Sequence, residues 1–264
     1  MKKYLFLILI FLCTNVHADS VFRNMTMKGV TVGPGFYTLY FNGVSGYASA
    51  PAIAGNQVFG NQGYSVEFWT YLVSSGSGDT GRLMHKSNTG SSVGGLRVFT
   101  TGTNSIGTKI QATLDTDGTD ANCLTTARYN FNTWHHIVVT LDTSLNLIFY
   151  IDGAAFSACT QGTGNIVTDA TYPLQLGGRQ DGVSTMGGNL GKVRIFLNKV
   201  LSQAEVNTLY NGGVLVQNQS SPVAGVTAEY NMDRPHSGTV FTDTSIYANN
   251  GSLAGAAAWA IISN

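Results

Sequence analysis

Two adjacent stretches, WHHIVVTL at residues 134–141 and LNLIFYI at 145–151, decide the fold of this chain. Both are rich in β-branched, aromatic and aliphatic residues, which favour strands. A short polar turn separates them, and Asp152-Gly153, a dipeptide typical of tight turns, follows the second stretch. The pattern predicts an antiparallel hairpin over 134–156 at the centre of a sheet.

Segments of the same character lie on both sides of this hairpin. Residues 36–54 alternate aromatic or apolar residues with small polar ones and predict a strand, a turn at Asn42-Gly43 and a second strand. Residues 64–73 (YSVEFWTYLV) and 187–200 (GGNLGKVRIFLNKV) each predict a strand. The periodicity gives an all-β sandwich or barrel, with further strands expected at 95–100, 108–114, 124–129, 227–232, 240–242 and 256–262.

One segment is predicted to be helical. Ser202 has the character of an N-cap, and Glu205, three residues later, completes a capping box. Gly212 is the expected stop. The chain therefore carries one short helix near 202–211.

Composition supports the same class. The chain has 32 glycines and only 11% charged residues, which is typical of short strands joined by tight turns. Without Lys2 and Lys3 of the leader described next, about twelve basic residues face fourteen acidic ones. Nucleic acids and anionic membranes normally require a basic surface, so neither is an expected partner.

The first eighteen residues resemble a secretory signal peptide. A basic start at Lys2-Lys3 precedes an apolar run over 4–12 and a small-residue end at Ala18. No later stretch is long and apolar enough to insert into a membrane. We therefore expect a secreted, extracellular protein, or a periplasmic one if the source is bacterial.

The remaining residues, 19–264, are predicted to form one domain. No linker-like block divides them. Its core is expected over 36–213, and strands within 223–262 are expected to complete it.

Two cysteines, Cys123 and Cys159, follow the predicted leader. Each lies beside a predicted strand, and an oxidising compartment would allow them to pair. A disulfide and two separate thiols both remain open at this stage. In either case the residues are interpreted as structural.

Several segments together resemble the laminin G-like and pentraxin branch of the concanavalin A-like jelly rolls. They occur in the family's order at 41–43, 64–69, 134–140, 149–153 and 191–196. The resemblance implies two stacked antiparallel sheets with jelly-roll connections. It also implies a binding module, with a glycan or an extracellular protein as partner.

Catalysis is not expected. The glycoside hydrolases that share this jelly roll carry paired acids as Glu-x-Asp-x-x-Glu, and the chain has no such pattern. Its three glutamates, Glu67, Glu205 and Glu229, are far apart in sequence. His135 and His136 lie in the middle of a predicted strand, and His85 and His236 are isolated, so no triad is predicted either. A weak glycosidase is the least favoured alternative, and no catalytic residue is assigned.

Calcium is a candidate cofactor because the related branches often bind it with carboxylate, amide and carbonyl oxygens. Gln180 and Asp181 match positions of the pentraxin calcium loop, and Asn88 falls near another ligand region. Arg179 stands where that family has a glutamate, which removes one ligand and adds a positive charge. Residues 115–120 carry alternate aspartates but no later glutamate, so they are interpreted as a solvated turn.

Sugar recognition normally combines an aromatic platform with polar side chains. The loop aromatics that fit this role are Tyr47, Tyr129, Tyr172 and Tyr247. The leading hypothesis is a secreted carbohydrate- or protein-binding module, assisted by calcium. The alternative is a structural subunit of an extracellular coat, appendage or virion-like assembly, in which homo-oligomers form.

Overall fold

A computed structural model describes residues 36–52, 59–60, 62–88, 94–156, 159–216, 219–232 and 238–262. Over these residues the chain forms eighteen β-strands, one α-helix and two short 3₁₀ turns, Ser77–Asp79 and Asn211–Gly213. In chain order the longer elements are β1 (Phe36–Asn42), β2 (Tyr47–Ala50), β3 (Tyr64–Ser74), β4 (Arg82–His85), β5 (Leu96–Thr101), β6 (Gly107–Leu114), β7 (Ala121–Leu124), β8 (Tyr129–Asn130), β9 (Trp134–Leu141), β10 (Leu147–Ile151), β11 (Ala154–Phe156), β12 (Cys159–Thr160), β13 (Leu174–Leu176), β14 (Gly187–Leu197), α1 (Gln203–Tyr210), β15 (Ala228–Tyr230), β16 (Val240–Phe241), β17 (Gly251–Ala254) and β18 (Ala258–Ile262).

The strands form two antiparallel sheets. Sheet A has eight strands in the order β11-β10-β9-β3-β14-β1-β18, with β15 also pairing with β14. Sheet B has ten strands in the order β12-β7-β6-β5-β4-β13-β2-β17-β16, with β8 pairing with β6. The predicted all-β, two-sheet sandwich is confirmed.

Alternation along the strands places one face of each sheet in a shared core. In β3 the side chains of Val66 and Phe68 are fully buried there, and in β5 those of Leu96 and Val98 join the same cluster. Because side chains alternate, the intervening residues of each strand face away from the core. Each sheet therefore has one face in the core and one outer face.

The structure refines several sequence predictions. The predicted hairpin β9–β10 forms, with Phe149 opposite Val139, but β10 begins at Leu147 rather than Leu145, and β3 and β14 occupy the centre of sheet A. The segment 36–54 does not form a hairpin, since β1 joins sheet A and β2 joins sheet B. Strands β12, β13 and β17 were not predicted, and the strand predicted at 124–129 is replaced by the end of β7 and the start of β8. The C-terminal strands contribute to both sheets.

Helix α1 lies on the outer face of sheet A. The capping box between Ser202 and Glu205 is present, as predicted. Buried Val206 and Leu209 belong to a second apolar cluster with Val138 of β9. The helix ends one residue earlier than expected, because Asn211 adopts the left-handed conformation with φ 50°.

A disulfide joins Cys123 and Cys159, which face each other across the β7–β12 pair. It fastens a two-residue edge strand to sheet B and decides between the alternatives that the sequence left open. The predicted signal peptide, residues 1–18, lies outside the described residues. Among those described, no helix has the length and apolar character needed to cross a bilayer.

Candidate functional site

The outer face of sheet B carries a continuous row of polar side chains. Strand pairing places one residue of each neighbouring strand at the same level. The residues that precede and follow each member of this row are buried, so the member's own side chain lies on the opposite, outer face. We call it the polar row, and its members from β7 to β17 are Asn122, Thr113, Arg97, His85, Gln175, Ser49 and Ser252.

A second level of the same face begins with Arg82 of β4, which pairs with Phe99 of β5. The guanidinium carbon of Arg82 lies 4.3 Å from the centre of the Phe99 ring, a cation–π distance. Gln111 of β6 is opposite Phe99 on its other side, and Leu124 of β7 follows. The side chains of Arg82, Phe99, Gln111 and Leu124 thus share one face with the polar row.

Three arginines gather on this face, and we call them the arginine cluster: Arg82, Arg97 and Arg179. Arg97 donates to Asp115 Oδ1 at 2.6 Å. Arg179, in the loop after β13, is ion-paired with Asp181. Arg82 has no such ion pair among the described residues, and its Nε and Nη1 atoms are buried without a hydrogen-bond partner.

The electrostatics of the arginine cluster reflect this imbalance. Burial, together with the charges of Arg97 and Arg179, lowers the pKa of Arg82 to about 10, so it remains cationic at neutral pH. Burial and the same three arginines lower the pKa of His85 to about 3. His85 is therefore neutral at physiological pH and lies beside the arginine cluster.

The loop after β13 folds back over the polar row. The backbone N–H of Gln180 donates to Gln175 Oε1 at 2.6 Å, while the Nε2 atom of Gln175 is buried without a partner. Within the loop, Arg179 N–H donates to Val183 O at 3.2 Å. This turn holds Arg179 beside Arg82 and borders the face at one end.

The outer face of sheet A also buries charge, but there the charges are matched. Arg194 of β14 lies between Glu67 of β3 and Glu229 of β15, with Nη1 3.1 Å from Glu67 Oε2 and Nε 2.6 Å from Glu229 Oε1. His136 Nε2 is 3.2 Å from Glu67. Burial alone would raise the pKa of Glu67, but Arg194 and His136 outweigh it and lower that pKa.

A cavity of about 200 Å³ lies beside this network, between α1 and sheet A. Trp69, Lys192 and Arg194 form part of its wall. Lys192 Nζ donates to Val216 O at 2.7 Å, and Arg194 Nη2 donates to Gln219 O at 3.3 Å. The cations of this cavity therefore hold the chain segment that follows α1, which is a structural role.

The predicted calcium ligands do not form a suitable donor set. Asp181 is about one-third exposed, and its carboxylate is occupied by Arg179 and by the backbone N–H of Val183, 3.1 Å away. Gln180 and Asn88 are exposed. Among the described residues, no three or more His, Cys, Asp or Glu side chains come close enough to hold a metal ion. As arranged in the described part of the chain, Gln180, Asp181 and Asn88 do not fit a pentraxin-type calcium site.

The acidic loop 115–120 uses its carboxylates to shape the turn. Asp115 accepts from Gly94 N–H at 2.6 Å as well as from Arg97, and Asp120 accepts from Thr116 N–H at 3.0 Å. Asp117 accepts from Asn165 N–H at 2.6 Å. The turn interpretation therefore fits the geometry better than a calcium loop.

The four predicted tyrosines fall in different environments. Tyr47 is half-buried in β2, where it faces outward on sheet B two residues from Ser49 of the polar row. Tyr129 is only 6% exposed and packs edge-on against His135, so it offers no platform. Tyr172 is half-buried, and Tyr247 is 43% exposed in the turn before β17.

Sequence reasoning did not identify the arginine cluster or the polar row. A partial signal is present in β5, where alternation in LRVFTT puts Arg97 and Phe99 on one face. The remainder depends on the order β5-β4-β13-β2, which joins strands that are distant in sequence. That order brings Gln175 beside His85.

The two stacked antiparallel sheets and their strand order define a jelly-roll sandwich of the concanavalin A-like class. The matching family model, described as the concanavalin A-like lectin/glucanases superfamily, covers residues 41–207, which is more than half of the chain. The chain belongs to this superfamily, and the resemblance seen in the sequence is confirmed.

One solved structure supports the fold at low sequence identity. A "putative carbohydrate binding protein" from Bacteroides ovatus matches with a TM-score of 0.61 and 15% identity over 87% of this chain. The chain spans 61% of the length of that protein. A heptameric pentraxin from Limulus polyphemus matches with a TM-score of 0.49 and 10% identity, over 68% of this chain and 84% of the pentraxin. No curated protein matches the chain.

Proposed function

We propose that this chain is an extracellular, non-catalytic glycan-binding module and that the outer face of sheet B holds the glycan. The observation that carries the proposal is the part of the polar row that solvent reaches, beside the Phe99 ring: Asn122, Arg97, Ser49 and Ser252. His85 and Gln175 of the same row are fully buried and support the face from beneath. A pyranose presents hydroxyl groups around an apolar ring face. Arg, Gln, Asn, Ser and Thr side chains supply the complementary donors and acceptors, and Phe99 supplies an apolar surface.

Two further observations support this proposal. The Bacteroides ovatus protein with the same fold is described as carbohydrate-binding, which agrees with the proposed class. The disulfide between Cys123 and Cys159 is typical of proteins that leave the cytoplasm. Both are consistent with a secreted module.

The glutamates give the reason for proposing binding without turnover. Glu67 and Glu229 are buried and share Arg194, while Glu205 caps α1. A glycosidase needs two carboxylates that flank an accessible glycosidic bond. Sequence spacing alone did not indicate that Glu67 and Glu229 lie on either side of one arginine, yet their burial leaves neither accessible to a sugar.

A glycan array with purified protein tests the proposal. We expect the unmodified protein to retain a defined set of glycans and Phe99→Leu to lose most of that binding, because leucine keeps apolar volume but removes the ring. Tyr247→Leu is the matched control, since it removes an exposed aromatic ring outside the polar row. We expect it to bind as the parent does.

Two results would contradict the proposal. Retention of no glycan, together with concentration-dependent polymers in light scattering, would favour the coat or appendage subunit instead. If Phe99→Leu does not lose more binding than Tyr247→Leu, the ring of Phe99 has no specific role and the site lies elsewhere.

A further inference from the structure

The arginine cluster lacks one counterion. Three guanidinium groups on this face meet two carboxylates, Asp115 and Asp181, which are already paired with Arg97 and Arg179. Arg82 is 7% exposed, and its partner in the described residues is the ring of Phe99. A buried cation without a paired anion is unfavourable, so an anionic group is missing at this point.

Among the described residues, the surrounding groups do not neutralise Arg82: Asp181 attracts it but is ion-paired with Arg179. His85 is neutral at physiological pH because burial and the neighbouring arginines lower its pKa to about 3. Gln175 and Gln111 are neutral amides, and Lys109, opposite Thr101 on the same face, adds positive charge. A ligand that approaches this face therefore meets an excess of positive charge, while the two unfilled donors of Arg82, Nε and Nη1, lie beneath the surface.

We propose that the glycan bound on the outer face of sheet B carries a carboxylate, and that this carboxylate pairs with Arg82 and Arg97. The inference rests on the proposed function and names the ligand class as acidic saccharides, those with a uronic or sialic acid residue. A planar carboxylate matches the planar guanidinium group, and their hydrogen bonds are charge-assisted.

The remaining contacts follow from the strand order. Gln111 and Asn122, which are joined by a hydrogen bond of 3.1 Å, lie on the strands beyond Phe99. We place the sugar ring on the part of Phe99 that Arg82 leaves uncovered, with its carboxylate toward Arg82 and its hydroxyl groups toward these amides. The face thus separates charge recognition at β4–β5 from hydroxyl recognition at β6–β7.

The test compares each acidic glycan with its own uncharged form. The probes are uronate- and sialate-terminated oligosaccharides, the methyl esters of the same compounds, and sulfated analogues of the neutral sugars. With the unmodified protein, we expect esterification to weaken binding roughly ten- to hundredfold, because a charge-assisted contact is lost. Added salt should weaken binding of the acids and leave the esters unaffected.

The variant Arg82→Gln keeps a polar side chain but removes the charge. We expect it to reduce binding of the acidic probes by the same factor and to bind the esters as the parent does. Lys199→Gln is the control, because it removes one positive charge beside α1, on the other side of the sandwich. It should leave both sets of affinities unchanged.

The outcomes distinguish this inference from the proposed function. If acids and esters bind equally and Phe99→Leu abolishes both, the glycan face stands and the carboxylate assignment is overturned. Preference for the sulfated probes over the carboxylated ones also overturns the assignment. If the array retains no glycan, the proposed function fails and this inference fails with it. The ester comparison uses the parent protein, so it remains informative if Arg82→Gln does not fold.

Discussion

The two outer faces of the sandwich bury arginine side chains in opposite electrostatic surroundings. On sheet A, Arg194 is paired on both sides, by Glu67 and by Glu229. On sheet B, Arg82 lies over an aromatic ring with two nitrogen atoms unpartnered. Helix α1 and the segment after it cover the first face, whereas the second carries the polar row.

This difference separates a structural role from a binding role. A buried cation that the chain itself neutralises contributes to the integrity of the fold, and its removal exposes uncompensated charges. A buried cation that the chain leaves partly unpaired costs stability in the free protein. Such a cost is typical of functional sites, where the ligand supplies the missing interaction.

The largest expected effect is on sheet A. Arg194→Met would leave Glu67 and Glu229 buried without their shared cation, and breaking a buried ion pair in this way costs about 3–5 kcal/mol. Urea unfolding monitored by tryptophan fluorescence gives this free energy. The exposed Arg128 provides the control, and Arg128→Met should change stability by about 0.5 kcal/mol or less. A similarly small loss for Arg194→Met would show that the network is not structural.

The next effect concerns pH. The residues of the two faces change the stability of the protein in different pH ranges. The pKa of His85 is about 3 in the folded protein and near 6.5 when unfolded. Below pH 6.5 the unfolded chain therefore takes up a proton that the native state does not, and stability falls as pH decreases. At pH 5 the loss is about 2 kcal/mol from this residue.

Substitution of His85 by Gln should remove that dependence between pH 6.5 and 5. Glu67 on sheet A contributes at lower pH, because its folded pKa lies below its usual value of 4.5 and its stabilisation is lost as pH falls through that lower value. Urea midpoints measured at several pH values distinguish the two. Parallel curves for the parent and His85→Gln would contradict the assigned burial of a neutral histidine.

A smaller effect, of opposite sign, is expected at Arg82. Arg82→Met removes a buried cation that has no acid of its own and keeps an apolar stem against Phe99, so we expect stability to rise by about 1 kcal/mol. The same urea experiment measures it beside Arg194→Met. A loss of several kcal/mol would instead make Arg82 structural, and the contrast between the faces would disappear.

The fold was largely predictable because its signals are local. Alternation in 64–73 and 134–151 marks the strands of sheet A, and the Ser202–Glu205 box marks the helix. Which strands become neighbours is decided by packing over long sequence distances. For that reason the sequence did not reveal that Arg82, Gln175 and Phe99 share a face, or that β9–β10 lies away from the centre of its sheet.

The calcium prediction was made from residue types alone. It did not include the hydrogen bonds and ion pairs that those residues form in the folded chain. Matching Gln180 and Asp181 to a ligand loop correctly identified a loop at the border of sheet B. It could not show that Asp181 is occupied, since the ion pair with Arg179 depends on the turn that Arg179 and Val183 form. Arg179 was nevertheless visible in the sequence, at the position where the pentraxin loop has a glutamate.

The smallest expected effect is therefore the response to calcium. A ligand that binds only the native state raises the melting temperature. We expect millimolar calcium and a chelator to give the same melting temperature for the parent, because the guanidinium of Arg179 occupies the carboxylate of Asp181. Arg179→Glu should introduce a calcium-dependent rise, since it frees Asp181 and adds a carboxylate beside it. A rise in the parent would mean that Asp181 exchanges Arg179 for the metal, and that sheet B then gains a ligand at its border rather than over the arginine cluster.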